Sequence, residues 1–169
     1  MKFKYCPDCG ARLTGKEMGD EGAVPYCGCC GRPWFDIFSM CIIALVVNEN
    51  GEAALLKQKY ISEKYFNLIS GFMKPGESAE NAAVREIGEE TGIKPESMEL
   101  TGTYWSDQED ILMIGFIVRA KKTDFILSRE VDGAEWTAAE DAVKRVKQGS
   151  ISEVLLKEYL KRKSENIRG

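Results

Sequence analysis

Glu86, Glu89 and Glu90 are spaced i, i+3 and i+4, and they follow a loop punctuated by Gly71, Pro75 and Gly76. On a helix these positions share one face. Like charges so placed repel by roughly a few tenths of a kcal/mol per pair, and by more when partly buried. A divalent cation removes the conflict, and hard carboxylate oxygens suit Mg2+ or Mn2+. The chemistry implied is a cation held against an anionic substrate. A solvated acidic helix is the plainer account of three glutamates, but it leaves the glycine loop and its distance to Arg85 unexplained.

The cysteines carry a second pattern. Cys6-Pro-Asp-Cys9-Gly and Cys27-Gly-Cys29-Cys30-Gly form two C-x2-C pairs seventeen residues apart. That spacing predicts a four-thiolate zinc site of ribbon type, from Cys6, Cys9, Cys27 and Cys30. Cys29 is a spare that competes with Cys30 for the fourth place. Cys41 sits in an apolar run and reads as a core thiol. A site closed by four thiolates has no open position for water, so its expected role is structural. Metal binding of this kind supplies a short segment with the folding free energy its small core lacks, on the order of 10 kcal/mol.

The elements that must position these groups are legible in outline. Ser78 is the expected N-cap of the glutamate helix and Gly92 its C-terminal stop. Ala79, Ala82, Ala83, Val84 and Ile87 supply its packing side. Met40 to Val47 reads as a strand, Asn48 to Gly51 as a hairpin turn and Ala53 to Lys57 as the returning strand. Tyr65 to Phe72, Thr101 to Trp105, Ile111 to Ala120 and Gly133 to Thr137 complete the extended segments. Thr137-Ala-Ala-Glu140 and Ser150-Ile-Ser-Glu153 both carry the capping-box pattern, so two helices should end the chain. The fold class is α/β, with helices on both faces of a sheet.

Length and composition bound the rest. The chain has 169 residues, no histidine and a formal net charge of −4. That size fits a small N-terminal unit, 1–36, and one medium domain, 37–165. The acidic balance argues against tight nonspecific nucleic-acid binding. No apolar run approaches a membrane span. No charged leader followed by an apolar stretch occurs in Met1 to Gly22, so the expected location is cytoplasmic.

The segment from Gly71 to Ile93 resembles the Nudix box, G-x5-E-x7-R-E-U-x-E-E-x-G-U, where U is bulky and aliphatic. Gly71, Glu77, Arg85, Glu86, Ile87, Glu89, Glu90, Gly92 and Ile93 fill every fixed position. The resemblance implies a Nudix α/β/α sandwich with a mixed sheet, here preceded by a small zinc ribbon. It implies metal-dependent hydrolysis of a nucleoside diphosphate derivative by attack of water on phosphorus. Glu86, Glu89 and Glu90 would be the catalytic metal ligands, joined by a backbone carbonyl at Ser70 or Gly71. Arg85 would hold a glutamate in place, and Glu77 would support the loop. Which carboxylate takes the proton stays open.

A zinc ribbon directly before such a domain resembles the NADH pyrophosphatase branch of the superfamily. That branch implies hydrolysis of NAD(H) to NMN(H) and AMP. It also implies Glu130 as a further metal-binding carboxylate, Phe72 and Ser152 as substrate contacts and a homodimer. Phe72 is equally readable as loop packing and Ser152 as a plain helix cap. The branch's S-Q-P-W-P-F-P-x-S motif is not reproduced: Thr103 to Ile111 contains none of its prolines. Tyr104 and Trp105 stand there as candidates for an aromatic wall or for core packing. The altered motif leaves open ADP-ribose or a nucleotide sugar as substrate, an NAD cap on RNA, and a sensor that binds a nucleotide without cleaving it. An interaction protein built on the ribbon is a further class, which leaves the box unexplained.

Overall fold

The computed structural model describes residues 3–106 and 110–166. The chain divides into two compact units, Met1–Ser39 and Met40–Gly169. In the first, strands β1 (Thr14–Glu17), β2 (Ala23–Cys27) and β3 (Arg32–Pro33) form an antiparallel sheet, with one 3-10 turn at Gly19–Glu21. Among its described residues just Cys6, Val24 and Cys27 are buried. Such a core is too small to hold the unit together by apolar burial alone.

The second unit is built on a six-stranded sheet: β4 (Ser39–Val47), β5 (Glu52–Lys57), β6 (Ile69–Phe72), β7 (Pro95–Ser106), β8 (Ile111–Ala120) and β9 (Gly133–Ala138). The strand order is β7-β8-β4-β5-β9, and β6 pairs with the first half of β4. Helix α1 (Ala79–Thr91) covers one face; α2 (Ala139–Arg145) and α3 (Ile151–Asn166) cover the other. The apolar run in β4 is continuous because both faces are buried. Ile42, Ala44 and Val46 join Ala82, Ala83 and Ile87 of α1, while Ile43, Leu45 and Val47 join Ala142, Leu155 and Leu156.

Helix α1 begins and ends where expected. Ser78 Oγ accepts from the Asn81 N–H at 3.2 Å, and Gly92 takes a left-handed conformation at φ 70° while its N–H bonds the Gly88 carbonyl. Val84, expected on the packing side, is 44% exposed. One residue beyond Ala83 it is rotated about 100° off the buried stripe.

Two other expectations are corrected. Thr137 does not cap α2: it remains in β9, its hydroxyl bonds the Glu135 carboxylate at 2.6 Å, and Ala138 stands at the cap without a side-chain bond. Strand pairing of β9 with β5 runs from Gly133 to Ala138 and holds Thr137 in the sheet. The second pattern forms in part: Ser150 Oγ accepts from Glu153 N–H, but Glu153 Oε2 accepts from Gly149 N–H, while Ser150 N–H bonds the Lys147 carbonyl. Of the extended segment 65–72, Ile69–Phe72 is a strand, and Phe66 and Asn67 make isolated bridges.

Candidate functional site

The box helix and the β6 loop converge on a cleft of about 860 Å3. Ser70, Gly71, Phe72, Arg85, Glu86, Glu89, Glu90 and Glu130 line it, with Tyr60, Lys74 and Met113.

Arg85 organises the outer carboxylates. Its Nε and Nη2 grip both Glu77 oxygens at 2.8 and 3.0 Å. Its Nη1 donates to Glu86 at 2.6 Å and to Glu89 at 3.0 Å, and Nη2 also reaches the Phe72 carbonyl at 3.1 Å. Glu77 in turn accepts the Lys74 N–H at 3.0 Å. The arginine and that N–H hold the Glu77 carboxyl down at about 2. One guanidinium thus ties the loop to the helix and fixes the direction of Glu86.

Gly71 packs against the same carboxylate. A Cβ at this position would stand 2.1 Å from Glu86 Cδ. The fixed glycine therefore makes room for the Glu86 side chain beneath β6.

Glu90 is different in kind. It is 5% exposed, and its Oε1 accepts from Gln58 Nε2 at 2.9 Å. Its Oε2 is buried with no hydrogen-bond partner. Burial, followed by the charge of Glu86, raises this carboxyl to about 7, against the pull of the Gln58 bond and of the nearby Ser70 backbone N–H; Glu130 adds to the rise. A buried carboxylate oxygen without a partner is costly. Beside Glu86 and Glu130 it is the donor a hard cation would satisfy. The hard oxygen donors, the unpaired Glu90 Oε2 and the glycine cradle together fit Mg2+ or Mn2+.

The cleft brings together Ser70, Gly71, Phe72, Arg85, Glu86, Glu89, Glu90 and Glu130, whereas Glu77 is outside the lining and joins it through Arg85. Its lining does not include Tyr104, Trp105 or Ser152. A register shift between Leu100 and Gly102 re-aims the end of β7. Tyr104 then packs with the α2/α3 core, its hydroxyl 3.2 Å from Thr101 Oγ1. Trp105 is 47% exposed, and Ser152 is half-buried in the first turn of α3. Residues 107–109, the middle of the segment that departs from the proline motif, lie outside the described residues.

Sequence reasoning missed Gln58 and Tyr60. Both follow β5 in a turn closed by the N–H groups of Ile61 and Ser62 on the Gln58 carbonyl. Tyr60 is 68% exposed over the whole residue, yet partial loss of water around its phenol, then the charges of Glu90, Glu130 and Glu86, raise its pKa. A buried glutamine next to an exposed aromatic just after a strand is the signal, and it acquires meaning once Glu90 is found beside it.

In the N-terminal unit the Sγ atoms of Cys6, Cys9, Cys27 and Cys30 all lie within 4.8 Å of one another. Cys30 is the fourth member; Cys29 is exposed and outside the group. The two C-x2-C turns match. Gly10 (φ 73°) and Gly31 (φ 70°) follow them, with N–H bonds of 2.9 Å to the Cys6 and Cys27 carbonyls. Burial resists ionisation of Cys6, yet backbone N–H groups of Cys9 and Asp8 prevail and bring its thiol down to about 6. The neighbouring Cys9 and Cys27 sulfurs push Cys30 the opposite way. This soft tetrad fits zinc.

The second unit is thus a sheet flanked by helices, with a glycine loop and a helix bringing carboxylates to one cleft. The NUDIX domain model matches residues 38–158, and the chain belongs to the NUDIX family. A NUDIX hydrolase from Nitrosomonas europaea superposes with a TM-score of 0.74 at 18% identity, over 96% of this chain and 93% of that one. The NUDIX domain of Shewanella oneidensis NrtR, complexed with ADP ribose, gives 0.64 at 14% identity over 81% and 93%. These likenesses bear on the fold, the α/β/α sandwich with a mixed sheet.

Among curated relatives, NAD-capped RNA hydrolase NudC of Pseudomonas aeruginosa is 27% identical over 95% of this chain and 57% of its own length. Nudix hydrolase 19, chloroplastic, of Arabidopsis thaliana is 29% identical over 83% and 34%. NAD-capped RNA hydrolase NUDT12 of Homo sapiens is 26% identical over 88% and 34%. The chain therefore spans between 34% and 57% of the length of these relatives. Among the described residues no helix is long and apolar enough to cross a membrane.

Proposed function

We propose that this Nudix hydrolase cleaves the diphosphate of NAD(H), giving NMN(H) and AMP, with Mg2+ or Mn2+ in the cleft and zinc on the four cysteines. The observation that carries the reading is the buried, unpaired Oε2 of Glu90 beside Glu86 and Glu130. Glu86, Glu89, Glu90 and Glu130, with a Ser70 or Gly71 carbonyl, would hold the cation. When bound, it neutralises diphosphate oxygens and makes water a better nucleophile.

The remaining work belongs to the chain. Arg85 keeps Glu86 directed into the cleft and, through Glu77 and the Phe72 carbonyl, keeps the β6 loop in register with α1. Phe72, 59% exposed on the lining, offers a ring to a base or nicotinamide. With no histidine in the chain, a carboxylate is the side chain left to accept the water's proton. The NudC and NUDT12 relatives support a nicotinamide dinucleotide or an NAD cap as the substrate class. The cytoplasm, a homodimer and a structural zinc ribbon over 1–36 belong to the same proposal.

A second reading, ADP-ribose or a nucleotide sugar, is favoured by the missing prolines between Thr103 and Ile111. A sensor is disfavoured, because binding alone does not require the complete carboxylate set. The deciding experiment is a product-resolved panel of NADH, NAD+, NAD-capped RNA, ADP-ribose, nucleotide sugars and nucleoside triphosphates with Mg2+ or Mn2+. NMNH and AMP from NADH, at the highest kcat/KM, are the expected result. Preferred release of ribose phosphate and AMP from ADP-ribose supports the second reading. Binding without turnover across the panel supports the sensor.

A further inference from the structure

The turn after β5 places a glutamine where the mechanism above has no named part. Gln58 is 1% exposed, and both contacts of its amide nitrogen are cleft groups: Glu90 Oε1 at 2.9 Å and the Tyr60 hydroxyl at 3.4 Å. Its own Oε1 is buried without a partner. The unpaired oxygens of Gln58 and Glu90 thus belong to one hydrogen-bonded pair. A glutamine kept for packing would be better replaced by an apolar side chain of equal size, which leaves no orphan acceptor. A carboxylate at this position would face Glu90 as a like charge. An amide donates to Glu90 without adding charge.

The backbone around Gln58 is fixed from both sides. Asp132 N–H bonds the Lys57 carbonyl at 2.8 Å, and Asp132 Oδ2 accepts the Lys59 N–H at 2.7 Å. The Gln58 carbonyl accepts Ile61 N–H at 3.0 Å and Ser62 N–H at 2.9 Å. Asp132 lies two residues after Glu130, so one aspartate joins the Gln58 turn to the segment carrying another cleft carboxylate. The side chain therefore projects from a braced backbone, as a group that must orient a ligand requires.

We infer that Gln58 is a positioning residue: it holds Oε1 of Glu90 so that Oε2 is presented to the cation. The inference rests on the diphosphatase reading and deepens it. Gln58 touches neither substrate nor the reacting atoms; it acts through Glu90.

The test is direct Mn2+ titration of the full, zinc-loaded chain by calorimetry, for wild type, Glu90→Gln and Gln58→Met, with steady-state kinetics and thermal melts alongside. Gln58→Met keeps length and volume and removes the donor. Mn2+ affinity should fall about 10-fold or more. At saturating Mn2+, kcat should fall while KM for the dinucleotide stays within about twofold. Loss of the donor leaves Glu90 Oε1 without a partner, so the melting temperature should fall modestly while the protein still unfolds cooperatively. Weaker Mn2+ binding and lower kcat at unchanged KM, read on folded protein, are the split that a packing role would not produce. If Gln58→Met does not unfold cooperatively, Gln58→Asn makes the same test, with the amide retained one methylene too short. Variant affinity and kcat within about twofold of wild type overturn the Gln58 assignment alone. A wild type whose Mn2+ binding is no tighter than that of Glu90→Gln overturns the underlying diphosphatase reading with it.

Discussion

The four-cysteine unit and the glutamate cleft each gather side chains that fit a cation, but on different foundations. In Met1–Ser39 the thiols are two of the three buried described residues, so the ligands are most of the core. In Met40–Gly169 the carboxylates sit on a sheet buried on both faces, with Ile42, Leu55, Ile87 and Leu156 among many fully enclosed side chains. A cation at the first site is expected to decide whether the unit folds. A cation at the second is expected to decide whether a folded domain acts.

Zinc removal breaks the comparison most forcefully. Zinc sites of this type contribute on the order of 10 kcal/mol to folding. Chelation, or Cys27→Ser, should erase amide exchange protection in residues 3–39 while β4, β5 and α1 keep theirs, as read by hydrogen exchange. Equal protection with and without zinc would make the first unit's core self-sufficient. Next comes Gly71→Ala, whose Cβ must displace the Glu86 carboxylate from its place beside Arg85. Turnover should drop by roughly 10- to 100-fold, with a small change in melting temperature. Gly92→Ala touches structure alone. The position needs φ 70°, and a Cβ there meets Ile126 Cβ at 2.8 Å. A loss of about 1–2 kcal/mol in denaturant unfolding is expected, with kcat unchanged. Ser78→Ala should cost about 1 kcal/mol through the lost cap.

Much of this contrast was legible in the amino-acid order, because the signals are local. The C-x2-C-Gly turns, the Ser78 cap, the Gly92 stop and the box spacing each lie within one short segment. What escaped depends on partners distant in sequence. Thr137 had a sound capping pattern, but pairing with β5 outweighed it. β7 begins at Pro95, six residues before the expected start, because Glu96, Ser97 and Glu99 hide a sheet-edge strand behind polar residues. Tyr104 faces the α2/α3 core because of a register shift that its own neighbours do not announce. Gln58 carries no motif, and its partner Glu90 is 32 residues away.

Glu90→Gln tests the central claim most directly, because it should raise stability and abolish function together. The folded Glu90 carboxyl lies at about 7, above the ordinary 4.5, so the unfolded chain loses this proton first. Without Mg2+ or Mn2+ this group's contribution to stability therefore falls as pH rises from about 4.5 to 7, and the full penalty remains above that. The measurement pairs thermal unfolding of zinc-loaded protein without Mg2+ or Mn2+, at pH 5 and pH 8, with AMP release from NADH in Mg2+. The account predicts that Glu90→Gln is more stable than wild type at pH 8, by roughly 2–3 kcal/mol. The advantage shrinks at pH 5, and AMP release is lost at least about 1,000-fold. A variant that releases AMP as wild type does, or that gains no stability at pH 8, would contradict it.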